Sequence, residues 1–246
     1  MSFRRLAPAD QQPASFAFSD ENKKLVEQWI AKYPPGRQRS AVIAALWIGQ
    51  EQEGWVTQPL IEEVARILDM PVMRVLEVAT FYTMFNLVPV GRFLVQVCTT
   101  TPCWLRGSDD VVAACKKHIA PNPGVISADG KFSWMEVECL GACVNAPVFQ
   151  ISKDYYEDLD GPTTERILEA LRRGERPKPG PQNGRHSSEP EGGVRTLTDP
   201  KLYDGGYARQ TQGSGGGDPT DTDAKRVNQS ASDRESPVQK PPGAAT

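Results

Sequence analysis

Five cysteines hold most of the chemistry that this sequence offers. Cys98 and Cys103 are separated by four residues and Cys139 and Cys143 by three, with 35 residues between the two pairs. Thiolates are strong metal ligands, and two irons bridged by two sulfides need four of them arranged as two pairs. A structural zinc site also takes four cysteines, but its usual knuckle has about two residues between ligands. A Rieske centre needs histidines, and the only ones here are His118, late in an expected helix, and His186, in a Pro/Gly-rich stretch. The Cys-x-x-Cys of a dithiol–disulfide enzyme is absent. Spacing therefore favours a [2Fe–2S] cluster on Cys98, Cys103, Cys139 and Cys143, with zinc and plain structural or redox thiols left open. The odd cysteine count fits a fully paired disulfide framework poorly.

The residues around the pairs suit the task. Gly141 and Ala142 let backbone come close to sulfur, and the N–H groups of such turns can donate to it. Arg106 could bring positive charge near the cluster, although a solvated arginine explains it equally well. Cys115 forms a stripe of spacing four with Val111 and Ile119, which is where a buried, inert thiol belongs.

Each close pair must follow a strand if both are to meet at one edge of a sheet. Arg92 to Cys98 reads as a short strand, and Lys131 to Cys139 alternates with period two. Between them Ser108 is expected to cap a helix through about Ile119, with Asp109 and Asp110 at its positive end. Pro147 to Ser152 and Tyr155 to Leu159 read as a hairpin, and Thr163 to Arg173 as a last helix closed by Gly174. One crossover gives a parallel pair and the hairpin adds antiparallel strands; a thioredoxin-like sheet is the simplest fold of that order.

Upstream, residues 20 to 88 read as four helices. Ser19 or Asp20 opens the first, which stops at Pro34-Pro35. The second runs from about Arg39 to Gln52 and is apolar almost all round, which implies burial or a partner. Thr57 and Pro59 open the third, with Leu60, Val64 and Leu68 on one stripe, and Pro71 starts a fourth ending near Phe85. Short links suggest a small antiparallel bundle. The aromatic run Phe81, Tyr82 and Phe85 has helical spacing, so it reads as core or interface rather than a cofactor box.

The sequence thus divides into a flexible N-terminus (1–18), a helical domain (19–88), a thioredoxin-like domain (89–174) and a Pro/Gly-rich, mostly disordered tail (175–246). The tail holds 9 Pro and 11 Gly but only five Leu, Ile, Val or Phe, too little apolar surface to offset ordering entropy. Val194 to Tyr207, with Leu197, Leu202 and Tyr203, is its one candidate docking segment. The fold class is α+β.

A formal net charge of −3 and the lack of a basic stripe give no reason to expect nucleic acid. No run approaches the ~18 apolar residues of a membrane span, and residues 1–20 have no apolar core of a secretory signal. Neither Gly-x-Gly-x-x-Gly nor Gly-x-x-x-x-Gly-Lys-Ser/Thr occurs, so no nucleotide fold is signalled. No nucleophile–base constellation appears, so no catalytic residue is assigned. An electron carrier of this kind must sit beside a protein that has the flavin, nicotinamide or substrate site.

The second cysteine turn, Cys139-Leu-Gly-Ala-Cys143-Val-Asn-Ala146-Pro147, preceded by Asp129-Gly-Lys-Phe132-Ser133, resembles the signature of the small iron–sulfur subunit of the NADH-dehydrogenase arm of respiratory complex I. Cys98-Thr-Thr-Thr-Pro-Cys103-Trp and Ala79-Thr-Phe-Tyr-Thr-Met-Phe85 are similar to that family as well, and the likeness covers about residues 20 to 174. Related small subunits occur in NAD-linked hydrogenases and formate dehydrogenases. The resemblance implies one [2Fe–2S] cluster on Cys98, Cys103, Cys139 and Cys143 in a thioredoxin-like ferredoxin domain. It implies a larger partner subunit holding FMN, the NADH site and a further iron–sulfur cluster, together with other peripheral-arm subunits. It places the chain peripherally on the cytoplasmic side of a bacterial inner membrane, as an electron-carrying part of NADH:quinone oxidoreductase without direct membrane insertion.

Overall fold

The computed structural model describes residues 4–202 except 191 and 194. Residues 1–182 and 183–246 form two units.

In the first unit, helix α1 (Asp20–Ala31) is capped by Ser19, whose Oγ accepts from the Asn22 N–H at 3.2 Å. Helix α2 (Val42–Glu53) ends at Gly54, whose φ of 88° is left-handed and costs glycine nothing. Thr57 caps α3 (Gln58–Leu68) by accepting from the Leu60 N–H at 3.2 Å. Helix α4 spans Val72–Phe81. The four helices share one apolar core that includes Leu46, Leu60, Val64, Leu68, Val75 and Phe85. Leu60, Val64 and Leu68 face it, as their spacing requires. Close packing reaches the backbone: a Cβ at Gly49 would collide with Leu60.

Two expectations change in this region. Helix α4 stops at Phe81 rather than near Phe85, and Tyr82 turns extended. Residues 4–18, expected to be flexible, are tied down. The Ala7 N–H donates to the Leu87 carbonyl at 2.9 Å, and Leu6, Phe16 and Phe18 pack on the helical core. The Arg4 guanidinium donates to the carbonyls of Thr80 at 3.1 Å, Tyr82 at 2.7 Å and Phe85. The end of α4 leaves carbonyls without helical partners, and a side chain with five N–H donors meets that need.

Across the sheet the strands follow the order Phe132–Val137, Phe93–Cys98, Phe149–Ile151, Asp154–Glu157 and Gly180–Pro181. Strand β1 (Phe93–Cys98) runs parallel to β2 (Phe132–Val137) and antiparallel to β3 (Phe149–Ile151). Strand β4 (Asp154–Glu157) completes the expected hairpin with β3. A short helix α5 (Thr101–Leu105) and α6 (Ser108–His118) form the crossover from β1 to β2, and α7 (Gly161–Arg172) follows β4. Helices α6 and α7 share one core with the sheet, built on Val95, Val97, Phe132, Trp134, Phe149 and Ile167. Trp134 is fully buried and its Nε1–H donates to the Ala120 carbonyl at 2.8 Å, which satisfies its single polar atom. The architecture is α+β with a mixed five-stranded sheet.

Ser108 does not cap α6. Gly107 stands at the cap with φ 97°, and Ser108 is the first helical residue, fully buried. The chain beyond 174 also returns to the sheet: Gly180–Pro181 forms β5, parallel to β4 with Tyr156 opposite Gly180. Proline is tolerated there because an edge strand has one unpaired side.

In the second unit, the His186 N–H donates to Glu189 at 2.8 Å, the Glu189 N–H returns to the His186 carbonyl at 3.2 Å, and Pro200–Leu202 makes a 3-10 turn. Val194 and residues 203–246, with Tyr203 and Tyr207 of the expected docking segment, lie outside the described residues. Among the described residues no helix is long and apolar enough to cross a membrane.

Candidate metal centre

Parallel pairing of β1 and β2 brings the two cysteine turns to one end of the sheet. Cys98, the last residue of β1, stands opposite Val137, the last residue of β2, and Cys139 follows two residues later. After Cys98 the chain enters α5, whose third residue is Cys103. After Cys139 it reverses at Gly141, with φ 81°, and Cys143 opens a 3-10 turn through Asn145. The Ala146–Pro147 peptide is cis, and the chain then enters β3 beside β1. The Cys98 N–H donates to the Val148 carbonyl at 3.1 Å. A small apolar cluster of Cys98, Cys103, Ala146 and Val148, flanked by Leu140, Ala142 and Tyr155, joins the two turns.

The thiols fall into two close pairs. Cys139 and Cys143 have their Sγ atoms 3.6 Å apart and are exposed. Cys98 and Cys103 are hydrogen-bonded to each other and are each 1% exposed. The charge of Cys143 is felt at Cys103, and that of Cys98 at Cys143, so the pairs lie within electrostatic range. None of the five cysteines is in a disulfide. Among the described residues, no three His, Cys, Asp or Glu side chains close to the spacing of one metal ion.

Donors are aimed at these sulfurs. Cys98 Sγ lies 3.1 Å from the Thr100 hydroxyl and also takes hydrogen bonds from the backbone of Leu140 and Thr100. Burial pushes the Cys98 thiol up, but these bonds outweigh it and the net shift is downward. The Cys103 thiol is pushed up to about 12, first by burial and then by the hydrogen bond and charge of Cys98, despite a backbone bond from Val148. Cys143 is raised chiefly by its hydrogen bond to Cys139. The Gly141 N–H donates to Cys139 Sγ at 3.4 Å.

Crowded thiols of this kind resist ionising together, and metal cations remove that penalty by displacing the protons. Four thiols in two pairs, with N–H and O–H donors around them, fit a [2Fe–2S] cluster.

The arrangement depends on residues that carry no signal in the sequence. Tyr155 on β4 donates its hydroxyl to the Leu140 carbonyl at 2.8 Å, and so holds the peptide whose N–H, that of Gly141, donates to Cys139 Sγ. Asn145 is buried and donates from Nδ2 to Glu157 at 2.8 Å, while its backbone carbonyl accepts from the Asp158 N–H at 2.7 Å. These contacts join residues distant in the chain and follow no local pattern. Only the placing of a polar residue directly after a turn of small and apolar residues hints at Asn145. Arg106 is exposed at the end of α5. Cys115 is fully buried on α6, and burial pushes its thiol up to about 12, the mark of an inert core residue. Of the aromatic run, Phe85 is core, whereas Phe81 is 78% exposed. His118 lies on α6 with Nε2 3.1 Å from Glu165 of α7, a carboxylate that also pairs with Lys117 at 2.8 Å.

A mixed sheet with two cysteine pairs at the ends of its parallel strands defines an iron–sulfur protein of thioredoxin-like fold. The sequence pattern of the thioredoxin-like [2Fe-2S] ferredoxin family matches residues 26–172, and the chain belongs to that family. It is 53% identical over 204 residues to an E subunit of the NADH-quinone oxidoreductase of Rhizobium meliloti (strain 1021), covering 82% of this chain and 74% of the relative. It is 55% identical over 159 residues to the E subunit of the NADH-quinone oxidoreductase of Rickettsia bellii (strain RML369-C), covering 64% of this chain and 95% of the relative. Among solved structures, an NAD+-reducing [NiFe]-hydrogenase in the H2-reduced state aligns with a TM-score of 0.48 and 19% identity, covering 55% of this chain and 22% of that one.

Proposed function

We propose that Cys98, Cys103, Cys139 and Cys143 hold one [2Fe–2S] cluster and that the chain is the small electron-carrying subunit of NADH:quinone oxidoreductase. The observation that carries this reading is the meeting of two thiol pairs at the ends of β1 and β2. The identity to E subunits of NADH-quinone oxidoreductases supports the host complex over a hydrogenase. When bound, the cluster supplies a one-electron store.

The chain's own residues do the rest. The cysteines bind, Leu140, Val148 and Gly141 orient N–H donors, and the apolar cluster excludes water from Cys98 and Cys103. Trp104 at 57% exposure, Leu105 at 71% and Val144 at 66% lie in or beside the two turns as an apolar rim. Apolar residues left open beside a redox centre suit contact with a partner. The partner is a larger subunit holding FMN and the NADH site, so the active site of the complex is not complete on this chain. The four N-terminal helices act as a compact bundle on the N-terminal side of the ferredoxin domain, and the assembly sits on the cytoplasmic side of a bacterial inner membrane.

Anaerobic purification followed by iron, sulfide and zinc analysis and electron paramagnetic resonance tests the proposal. Two irons and two acid-labile sulfides per chain, with a rhombic signal on reduction, are expected. One zinc per chain without sulfide would instead make the site a structural staple. Co-purification with membrane partners having quinone-reductase activity is the result expected for the host complex.

A further inference from the structure

We propose that the Thr100 hydroxyl favours the reduced state of the cluster by donating a hydrogen bond to Cys98 Sγ, an inference that rests on the four-cysteine reading above. Thr100 stands at the N-cap of α5, with φ −72° and ψ 164°. A threonine there ordinarily accepts from the N–H of the second or third helical residue. Thr100 makes no such bond. Its Oγ1 lies 3.1 Å from Cys98 Sγ instead. In a free thiol either atom could give the proton, but a metal-bound thiolate has none, so the hydroxyl must be the donor. Thr99 offers a contrast one residue away, because its hydroxyl lies 3.2 Å from Glu136 Oε2 and is turned to a carboxylate.

Reduction adds one electron, supplied by a reduced flavin in the complex or by dithionite in a titration. No bond forms or breaks, and the tetrathiolate cluster becomes one unit more negative. A donor to a ligand sulfur is therefore worth more after reduction than before it. Cys98 sits in the buried pair, where few water molecules are available to replace a lost donor.

The test is a potentiometric titration, followed by electron paramagnetic resonance, of the full chain carrying Thr100→Val, Thr100→Ala, Thr100→Ser or Thr99→Val. T100V and T100A should lower the reduction equilibrium constant roughly tenfold, about 59 mV for one electron. T100S keeps the hydroxyl and T99V leaves Thr100 intact, so both should titrate close to the unaltered protein. Equal potentials for T100V, T100A and the unaltered protein would overturn the proposal, as would a T99V shift as large as that of T100V. Clusters held by T100S but by neither T100V nor T100A would also overturn it, by making the hydroxyl a requirement of assembly. Absence of the two-iron signal from the unaltered protein would sink the four-cysteine reading itself.

Discussion

The two cysteine turns carry equivalent thiol pairs but are built in opposite ways. The first follows β1, which has β2 on one side and β3 on the other, so its backbone is anchored from both. Its cysteines are buried and α5 spaces them. The second follows β2, an edge strand with one neighbour, and its cysteines are exposed. At its β2 end that turn has a ladder on one side only, and side chains from β4 reach across to hold it: Tyr155 holds Leu140, and Glu157 holds Asn145. A central strand positions its turn through the ladder, whereas an edge strand needs braces. The second turn is the one whose thiols are open to solvent.

That contrast can be broken at several points, beginning with the cysteines. Serine at Cys98, Cys103, Cys139 or Cys143 should abolish or grossly alter the paramagnetic signal, whichever turn is changed. Cys115→Ser should keep it, at a stability cost from burying a hydroxyl on α6. If the four ligand variants are silent, the two turns are not one site.

In protein freed of metal, alkylation followed by mass spectrometry should label Cys139 and Cys143 about 100-fold faster than Cys98, Cys103 and Cys115, chiefly because the exposed pair is open to the reagent. Equal rates would mean that the first turn opens as readily as the second.

Asn145→Ala removes a buried amide and its hydrogen bond to the Glu157 carboxylate and should cost about 1–3 kcal/mol in denaturant unfolding. A smaller loss, about 1 kcal/mol, is expected of Tyr155→Phe, together with faster amide exchange at Leu140 and Gly141 but not at Cys103. Exchange that quickens equally in both turns would remove the distinction between ladder and brace.

The smallest effect concerns pH and the turn that leads into β2. Partial burial works to raise the Asp129 carboxyl, but hydrogen bonds from Ser127, the Lys131 N–H and Arg172 hold it below its ordinary 3.8. Its folded value is lower than its unfolded one, so its stabilisation is present above pH 3.8 and fades as pH falls toward the folded value. Asp129→Asn should therefore be less stable than the unaltered protein at about pH 6 and close to it near about pH 2. A constant difference across that range would show that the carboxylate charge is not what counts.

Much of this was legible in the chain. Period-two alternation marked β2, and the helical stripe of Leu60, Val64 and Leu68 marked α3, because these are local steric and burial rules. Helix α5 was missed because five residues carry too little periodicity, and Ser108 was misplaced because Gly107 could take the left-handed cap instead. The N-terminal strap was missed because Arg4 finds its partners more than seventy residues away. Strand β5 was hidden in a Pro/Gly-rich stretch whose composition argued against order, and only backbone pairing with β4 holds it.

By itself the sequence determined the candidate ligands, since residue types and close spacings are local facts: two thiol pairs, no histidine partner, and a Cys115 set on a helical core stripe. Tertiary structure alone decided which pair is buried, which donors reach the sulfurs, and which distant tyrosine braces the open turn. Those depend on strand order, and strand order is set by burial of the whole core, not by any one segment.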